Sequence, residues 1–204
     1  IALCNALGPN TETVTNALRE GKSGLGPCPI ELAFEPLVGA ISAALPTLPD
    51  ALGEWDTRTA RIAYSLVQQI EPTLERVRSR WPRERIAVLL GTSTAGADET
   101  ESAYRTYLAE GALPSNYDLF RHHTYGAIHH VVSELVGAAG PGWVASTACT
   151  SSAKPLASAR RLIEADMIDA AVVGGIDTLC AMTLNGFRSL DALSKGRCRP
   201  FAED

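Results

Sequence analysis

The sequence predicts an α/β protein in which helices cover a mostly parallel sheet. Two apolar runs, "IAVLL" and "AAVVGGI", are continuous rather than alternating, which is typical of strands buried on both faces. Segments with apolar residues at helical spacing separate such runs. Strands and helices therefore alternate along the chain, which is the pattern of a parallel sheet with helical crossovers.

The first 50 residues are predicted to contain one clear helix, over 11–20. Thr11 is placed to cap its start, and Gly21 to end it. The segment 24–49 is rich in Gly and Pro, which predicts an irregular surface excursion with a short helix around "LVGAISAAL".

A long helix is predicted over 57–80, where apolar residues recur at helical spacing. Asp56 is the predicted cap of this helix. Pro72 lies inside it and predicts a kink or a break, because proline cannot donate to the preceding turn.

The rest of the chain continues the alternation. The predicted elements are a strand in "RIAVLLGTST", helices over 98–110 and 125–136, a strand in "GWVAST", a helix over 151–165 and a strand in "IDAAVVGGID". Gly111 and Gly137 are expected to end the first two of these helices. The remainder, to Asp204, is predicted to be rich in turns.

Composition narrows the class of protein. The chain has 204 residues, of which 46 % are hydrophobic and 20 % are charged, so we expect a sizeable core and no extensive disorder. A net charge of −5 argues against nucleic-acid binding. The apolar runs are too short to span a membrane.

Five cysteines without Cys-x-x-Cys spacing argue against a disulfide framework or a zinc site, and favour reduced thiols in a cytoplasmic protein.

Cys149 is the candidate nucleophile. It lies in "STACTSS", between the strand in "GWVAST" and the helix predicted to begin at Ser151. A helix N-terminus has unpaired N–H groups and a partial positive charge, which favours a thiolate and can hold an oxyanion. The neighbours are small, so a substrate could approach closely, as at a nucleophile elbow. A buried, inert cysteine is the alternative.

Several motifs in order resemble those of the β-ketoacyl synthases that act on acyl carrier protein, within the thiolase superfamily. They are "GTSTAG", "GPGWVASTAC", "STACTSSAKPLASARRLIEAD", "VVGGID", "NGFRSLDALS" and "CRPF". The likeness runs from about Arg58 to Phe201 and is most specific after Trp143. In that family, the cysteine of this motif accepts the acyl group.

The resemblance implies a layered αβαβα thiolase-like fold, of which residues 1–204 supply the N-terminal half. It implies a decarboxylative Claisen condensation in fatty acid biosynthesis, with Cys149 as the nucleophile and its own N–H in the oxyanion hole. The implied partners are acyl- and malonyl-carrier protein and a second subunit, in a homodimer or a heterodimer with a related subunit. No cofactor is implied.

The chain departs from the family pattern in its histidines. The family uses two histidines from its second half, beyond the "RPF" motif, to assist decarboxylation. The four histidines here, at 122, 123, 129 and 130, all precede Cys149 and match neither motif. We therefore expect this half alone to carry the nucleophile without the decarboxylation apparatus, and to be inactive by itself.

Two other patterns favour ordinary roles. His123 and His130 are seven residues apart and could share a helix face, but no further ligand is clearly placed, so we expect loop and helix-surface histidines rather than a metal site. "GTSTAG" follows a strand but lacks the Gly-Lys-Ser/Thr ending of a phosphate loop, which argues against nucleotide binding.

Arginines crowd the segment 58–85. One interpretation is a solvated helix face balanced by Glu71, Glu75 and Glu84. The other is a docking patch for an acidic carrier protein, for which Arg58 and Arg61 are the candidates, because they match a helix start where relatives have basic residues.

Three alternatives remain open at the level of sequence. The first is a condensing enzyme of aryl polyene or polyketide biosynthesis, which "GTSTAG" with the following acidic residues resembles. The second is a non-catalytic partner resembling a chain-length factor, although such subunits usually replace the cysteine. The third is a degradative thiolase-type enzyme that binds coenzyme A.

Overall fold

The computed structural model describes residues 1–194 and 196–199. The helices are α1 (Thr11–Arg19), α2 (Arg58–Arg80), α3 (Ala97–Glu110), α4 (Leu119–His122), α5 (Tyr125–Val136), α6 (Lys154–Glu164) and α7 (Ala181–Ser189). The strands are β1 (Leu25–Pro27), β2 (Leu37–Gly39), β3 (Ile86–Gly91), β4 (Gly142–Ala145) and β5 (Ala170–Gly175). These elements form two compact units, one of residues 45–178 and one of residues 1–44 with the described residues from 179 onward.

The larger unit is built around β3, which pairs in parallel with β4 on one side and β5 on the other. All six residues of β3 are buried, as its continuous apolar sequence predicted. The pairing aligns Gly91 with both Ala145 and Gly175. The carboxyl ends of all three strands therefore lie side by side.

Helices cover both faces of β3. Ala87 and Leu89 form one apolar cluster with Ala159 of α6 and with Ile168. Helix α5 contacts β3 and β4, and α2 packs on α5. The parallel sheet with helical crossovers is thereby confirmed.

The smaller unit contains α1, the β1–β2 pair and α7. Strands β1 and β2 are antiparallel, with Gly26 opposite Val38. The guanidinium of Arg188 in α7 lies 5.3 Å from the centre of the Phe34 ring.

Helix ends were predicted to within a few residues, but two predicted caps are wrong. Asn10, not Thr11, caps α1 and accepts a hydrogen bond from the Thr13 amide at 2.9 Å. Thr57, not Asp56, caps α2 through the Ala60 amide at 3.1 Å. Asp56 instead pairs with a side chain one turn into the helix.

Three local predictions are also wrong. The segment "LVGAISAAL" contains β2 rather than a helix, because Leu37–Gly39 finds a pairing partner at Leu25–Pro27. The turn-rich end of the chain contains α7, and α4 was not predicted. Each depends on contacts with residues distant in sequence.

Helix α6 has an uncovered side. Of the residues expected to be buried, Ala159 is buried and Leu162 is half-buried, whereas Ala153, Leu156 and Ala157 are exposed. Leu156 keeps 62 % and Ile163 48 % of their surface accessible. One face of α6 therefore packs on its own sheet, and the other is apolar and open.

No helix among the described residues is long and apolar enough to cross a membrane.

Helix α2 continues through Pro72, so the predicted break does not occur. Proline leaves the carbonyl of Gln68 without its helical donor and crowds it. Because Pro72 is exposed, Pro72→Ala should lose no packing and should raise the free energy of unfolding by about 1–3 kcal/mol. Urea unfolding of the intact protein measures this. Thr73→Ala, at the next exposed position, should gain only about 0.5 kcal/mol, and equal effects of the two would contradict the prediction.

Candidate active site

Cys149 lies in the segment that joins β4 to α6. Strand β4 ends at Ala145, a single 3-10 turn spans Ala148–Thr150, and α6 begins only at Lys154. The predicted strand-to-helix seam is confirmed, but the helix starts three residues later than predicted. The field of a helix terminus fades within about one turn, so the argument from the helix dipole is weaker than the sequence suggested. The side chain is exposed.

The residue before Cys149 has an unusual backbone conformation. Ala148 has φ of +52°, in the left-handed region. Such a conformation costs a residue with a Cβ about 1–3 kcal/mol and persists only where the surroundings hold it. The turn that presents the thiol is therefore held in place rather than intrinsically favoured.

Three donors converge on the Ala148 carbonyl and hold it. They are the Ser151 amide at 3.1 Å, the Ser151 hydroxyl at 2.7 Å and the Ser93 hydroxyl at 2.9 Å. The Ser151 hydroxyl also accepts a hydrogen bond from the Thr147 amide at 2.9 Å. Ser151 is 2 % exposed, so this bracing lies beneath the exposed thiol.

The turn rests directly on the ends of two strands, and glycines make room for it. A Cβ on Gly91 would lie 2.1 Å from the Ser151 carbonyl oxygen, and one on Gly175 would lie 1.8 Å from the Ser152 hydroxyl oxygen. The "VGG" motif was recognised in the sequence only as a family mark. Its second glycine gives clearance to the segment that follows Cys149.

The loop after β3 is anchored by one carboxylate oxygen. Oδ1 of Asp177 accepts hydrogen bonds from the Ser93 and Thr94 amides at 2.7 and 3.1 Å. It also accepts from the hydroxyls of Thr92 and Thr94 at 2.9 and 3.1 Å. Sequence reasoning assigned Asp177 no role, although the polar residue directly after an apolar strand was a usable signal.

Arg58 and Arg61 both lie in the first turn of α2, as predicted. Arg58 is exposed, and its backbone amide donates to Oε1 of Glu99 at 3.0 Å. Arg61 forms a two-pronged pair with Asp56, with both N–O distances 2.6 Å. The hydrogen bonds that Arg61 donates to Asp56 raise the pKa of the Arg61 guanidinium. Asp56 therefore partly neutralises the charge of Arg61.

The rest of the arginine cluster is partly accounted for by partners within the chain. Arg78 pairs with Glu71, and Arg85 with Asp166 and Asp169. The hydrogen bond from Arg85 lowers the pKa of Asp169.

All four histidines are half-buried. His123 follows the end of α4 in the turn before α5, whereas His130 lies within α5. His122 accepts at Nδ1 from the Asp118 amide and donates from Nε2 to the Glu54 carbonyl, both at 3.1 Å. Nδ1 of His123 is 2.6 Å from the Thr100 hydroxyl. The ring of His130 packs on Trp55.

His129 in α5 lies against β4. A Cβ on Gly142 would lie 2.0 Å from its Nε2, and burial lowers its pKa. The other three histidines make the local hydrogen bonds and the ring contact given above.

The remaining sequence features can be placed briefly. The cysteines at 4, 28, 149, 180 and 198, all within the described residues, form no disulfide bond. No group of three potential metal ligands occurs in the part of the chain that the structure describes. The "RPF" motif lies mostly outside the described residues, which include Arg199 but neither Pro200 nor Phe201.

The larger unit is thus a parallel α/β sheet with an exposed cysteine on a braced turn at the carboxyl ends of its strands. The sequence model of the β-ketoacyl synthase N-terminal domain matches residues 1–204. The chain belongs to the β-ketoacyl synthase family and has its thiolase-like fold.

Two particular proteins are similar along the whole chain. One is in the solved complex of ketosynthase ApeO with its chain length factor ApeC from Xenorhabdus doucetiae, at 34 % identity and a TM-score of 0.90 over 100 % of this chain and 52 % of that one. The other is nodulation protein E of Rhizobium meliloti (strain 1021), 27 % identical over 98 % of this chain and 51 % of its own length. The chain therefore spans about half the length of the relatives it matches.

The ishigamide ketosynthase/chain length factor shares the fold, with a TM-score of 0.79 at 20 % identity.

The glycine clearance can be tested with two neighbouring glycines. Gly91→Ala should lower the free energy of unfolding by about 1–3 kcal/mol, because its Cβ meets backbone rather than a flexible side chain. Gly174→Ala should change it by less than about 1 kcal/mol, because nothing lies within 4 Å of that Cβ position. Urea unfolding of both variants decides, and a Gly91→Ala protein as stable as the wild type would contradict the close approach.

Proposed function

We propose that the intact protein is a condensing enzyme that carries its acyl intermediate on Cys149. The single observation that carries this is the exposed thiol on a braced turn at the carboxyl ends of β3, β4 and β5, in a chain of the β-ketoacyl synthase family. In open α/β sheets, ligands bind at this edge. A sulfur nucleophile also suits thioester chemistry, because sulfur attacks well and leaves well.

The first half-reaction is acyl transfer. The Cys149 sulfur, as thiolate, attacks the carbonyl of an acyl thioester on carrier-protein phosphopantetheine. The tetrahedral oxyanion collapses, the carbon–sulfur bond to the pantetheine breaks, and that thiolate takes up a proton. In the 3-10 turn, the amides of Thr150 and Ser151 donate hydrogen bonds to backbone carbonyls. The amide of Cys149, which precedes them in the chain, is our proposed hydrogen-bond donor to the oxyanion.

The second half-reaction is the condensation. A malonyl thioester loses CO₂, and the electron pair left on carbon attacks the acyl thioester of Cys149. The carbon–carbon bond forms, the Cys149 thiolate leaves, and the chain has grown by two carbons. The four histidines described here match neither of the family's histidine motifs, so we propose that residues outside 1–204 assist decarboxylation and that this half alone does not condense.

The partner proposal rests on one similar solved structure. It holds a ketosynthase in complex with its chain length factor, which favours a heterodimer with a related subunit over a homodimer for this protein. Cys149 favours the catalytic rather than the chain-length-factor role. The same likeness favours polyketide-type assembly over fatty acid biosynthesis. The assignment to fatty acid biosynthesis stays a prediction from the sequence.

The acyl-carrying role of Cys149 is directly testable. Incubating the intact protein with an acyl-carrier-protein thioester should add one acyl mass to the peptide that contains Cys149. Cys149→Ala should reduce acyl transfer by at least ~10³-fold, because the nucleophile is removed. Cys198→Ala is the matched control, since Cys198 is also exposed, and should change nothing. Acylation of another cysteine would contradict the proposal.

Carrier-protein docking is proposed for the start of α2, through Arg58 and Arg61, which both lie in its first turn. Arg58→Glu should raise KM for the acidic carrier protein about 3- to 10-fold at low salt and leave kcat unchanged. The effect should shrink as salt is added.

Arg76→Glu is the control for docking. Arg76 is exposed on the same helix, roughly 27 Å further along it. If the Arg58→Glu and Arg76→Glu variants have the same KM for the carrier protein, the proposal of a docking patch at the start of α2 is wrong.

A further inference from the structure

One hydrogen-bonded chain links the end of β5 to the turn that carries Cys149. It begins at Asp177, whose Oδ1 binds the Ser93 amide at 2.7 Å. It continues through the Ser93 hydroxyl, which donates to the Ala148 carbonyl at 2.9 Å. The chain thus ends one residue before the nucleophile, on the residue with the left-handed backbone.

Each hydroxyl in this network has a consistent direction. The Thr92 hydroxyl donates to Asp177 and accepts from the Ala95 amide at 3.0 Å. The Thr94 hydroxyl donates to Asp177 and accepts from the Thr178 amide at 3.2 Å. One carboxylate therefore orients the whole loop 92–94, including the Ser93 hydroxyl that reaches Ala148.

Burial in the core does not explain the roles of Asp177 and Ser93 in this hydrogen-bonded network. Asp177 and Ser93 are both exposed, whereas Thr92 and Thr94 between them are buried. A loop that only needed filling would not require an acceptor-only side chain at 177. Together, Asp177 and Ser93 supply an oriented hydroxyl that donates to the carbonyl of Ala148, the residue with the left-handed backbone.

We infer that Asp177 and Ser93 are positioning residues for Cys149, acting through the Ala148 carbonyl. The inference rests on the proposed function of Cys149. Without the Ser93 hydroxyl, the Ala148 carbonyl keeps only its bonds to Ser151, which belongs to the same turn, and its link to the sheet is lost. The sulfur would then sample positions displaced from the acyl carbonyl, and small displacements of a reacting atom slow reactions strongly.

The test compares Asp177→Ala and Ser93→Ala in the intact protein with two probes. The first probe is the hexanoyl thioester of N-acetylcysteamine, whose transfer to Cys149 requires an oriented sulfur. The second is iodoacetamide, which alkylates any accessible thiolate. Both variants should lower the acylation rate by at least ~10-fold, while alkylation of Cys149 changes by less than about threefold because the thiol stays accessible.

A matched control removes the aspartate at the other end of the same strand. Asp169 precedes β5 and pairs with Arg85. Asp169→Ala should lower stability without slowing acylation. If Asp177→Ala does not fold, Ser93→Ala, which removes one exposed hydroxyl, decides alone.

Rescue separates positioning from general damage. Glycine adopts positive φ without a steric penalty, so Ala148→Gly added to Ser93→Ala should recover the acylation rate by at least about threefold. If the wild type is acylated and both variants lose no more rate than Asp169→Ala, the inference is wrong and the proposed function stands. If the wild type is not acylated at all, the proposed function is wrong and the inference falls with it.

Discussion

The parallel pairing of β3 with both neighbours is the constraint on which the rest of the larger unit depends. It buries all six residues of β3 and brings Gly91, Ala145 and Gly175 to one edge of the sheet. The segments that leave these three strands must then share a small space. The loop 92–94, the Cys149 turn and Asp177 meet there because each follows one strand directly.

The crowded edge explains the residue types found at it. Glycines end β3 and β5, because a Cβ at Gly91 or Gly175 would overlap the segment after Cys149. Short hydroxylated side chains fill the loops, since they can bond backbone groups at close range. Ala148 is held at positive φ by donors from two segments. The thiol is thus exposed, while the backbone that presents it is fixed from below.

The same architecture divides the proposed enzyme's tasks among separate places. Cys149 lies at the sheet edge, Arg58 lies at the start of a helix that packs outside α5, and one apolar face of α6 is open. The histidines in 119–136 stabilise the packing of α4 and α5 and are not gathered around the thiol. The chain spans about half of its relatives' length, in agreement with a site that holds the nucleophile and leaves decarboxylation to other residues.

The sequence by itself determined the α/β class, the strands β3, β4 and β5, the long helices and the seam that holds Cys149. These follow from local periodicity, from Gly111 and Gly137 at helix ends, and from motifs whose order marks the family. Tertiary structure decided what depends on contacts between distant residues. Leu37–Gly39 became a strand because it found a partner, and Asp177 gained its role from a loop 83 to 85 positions away. No local pattern encodes such pairings, because they exist only once the sheet has brought its strand ends together.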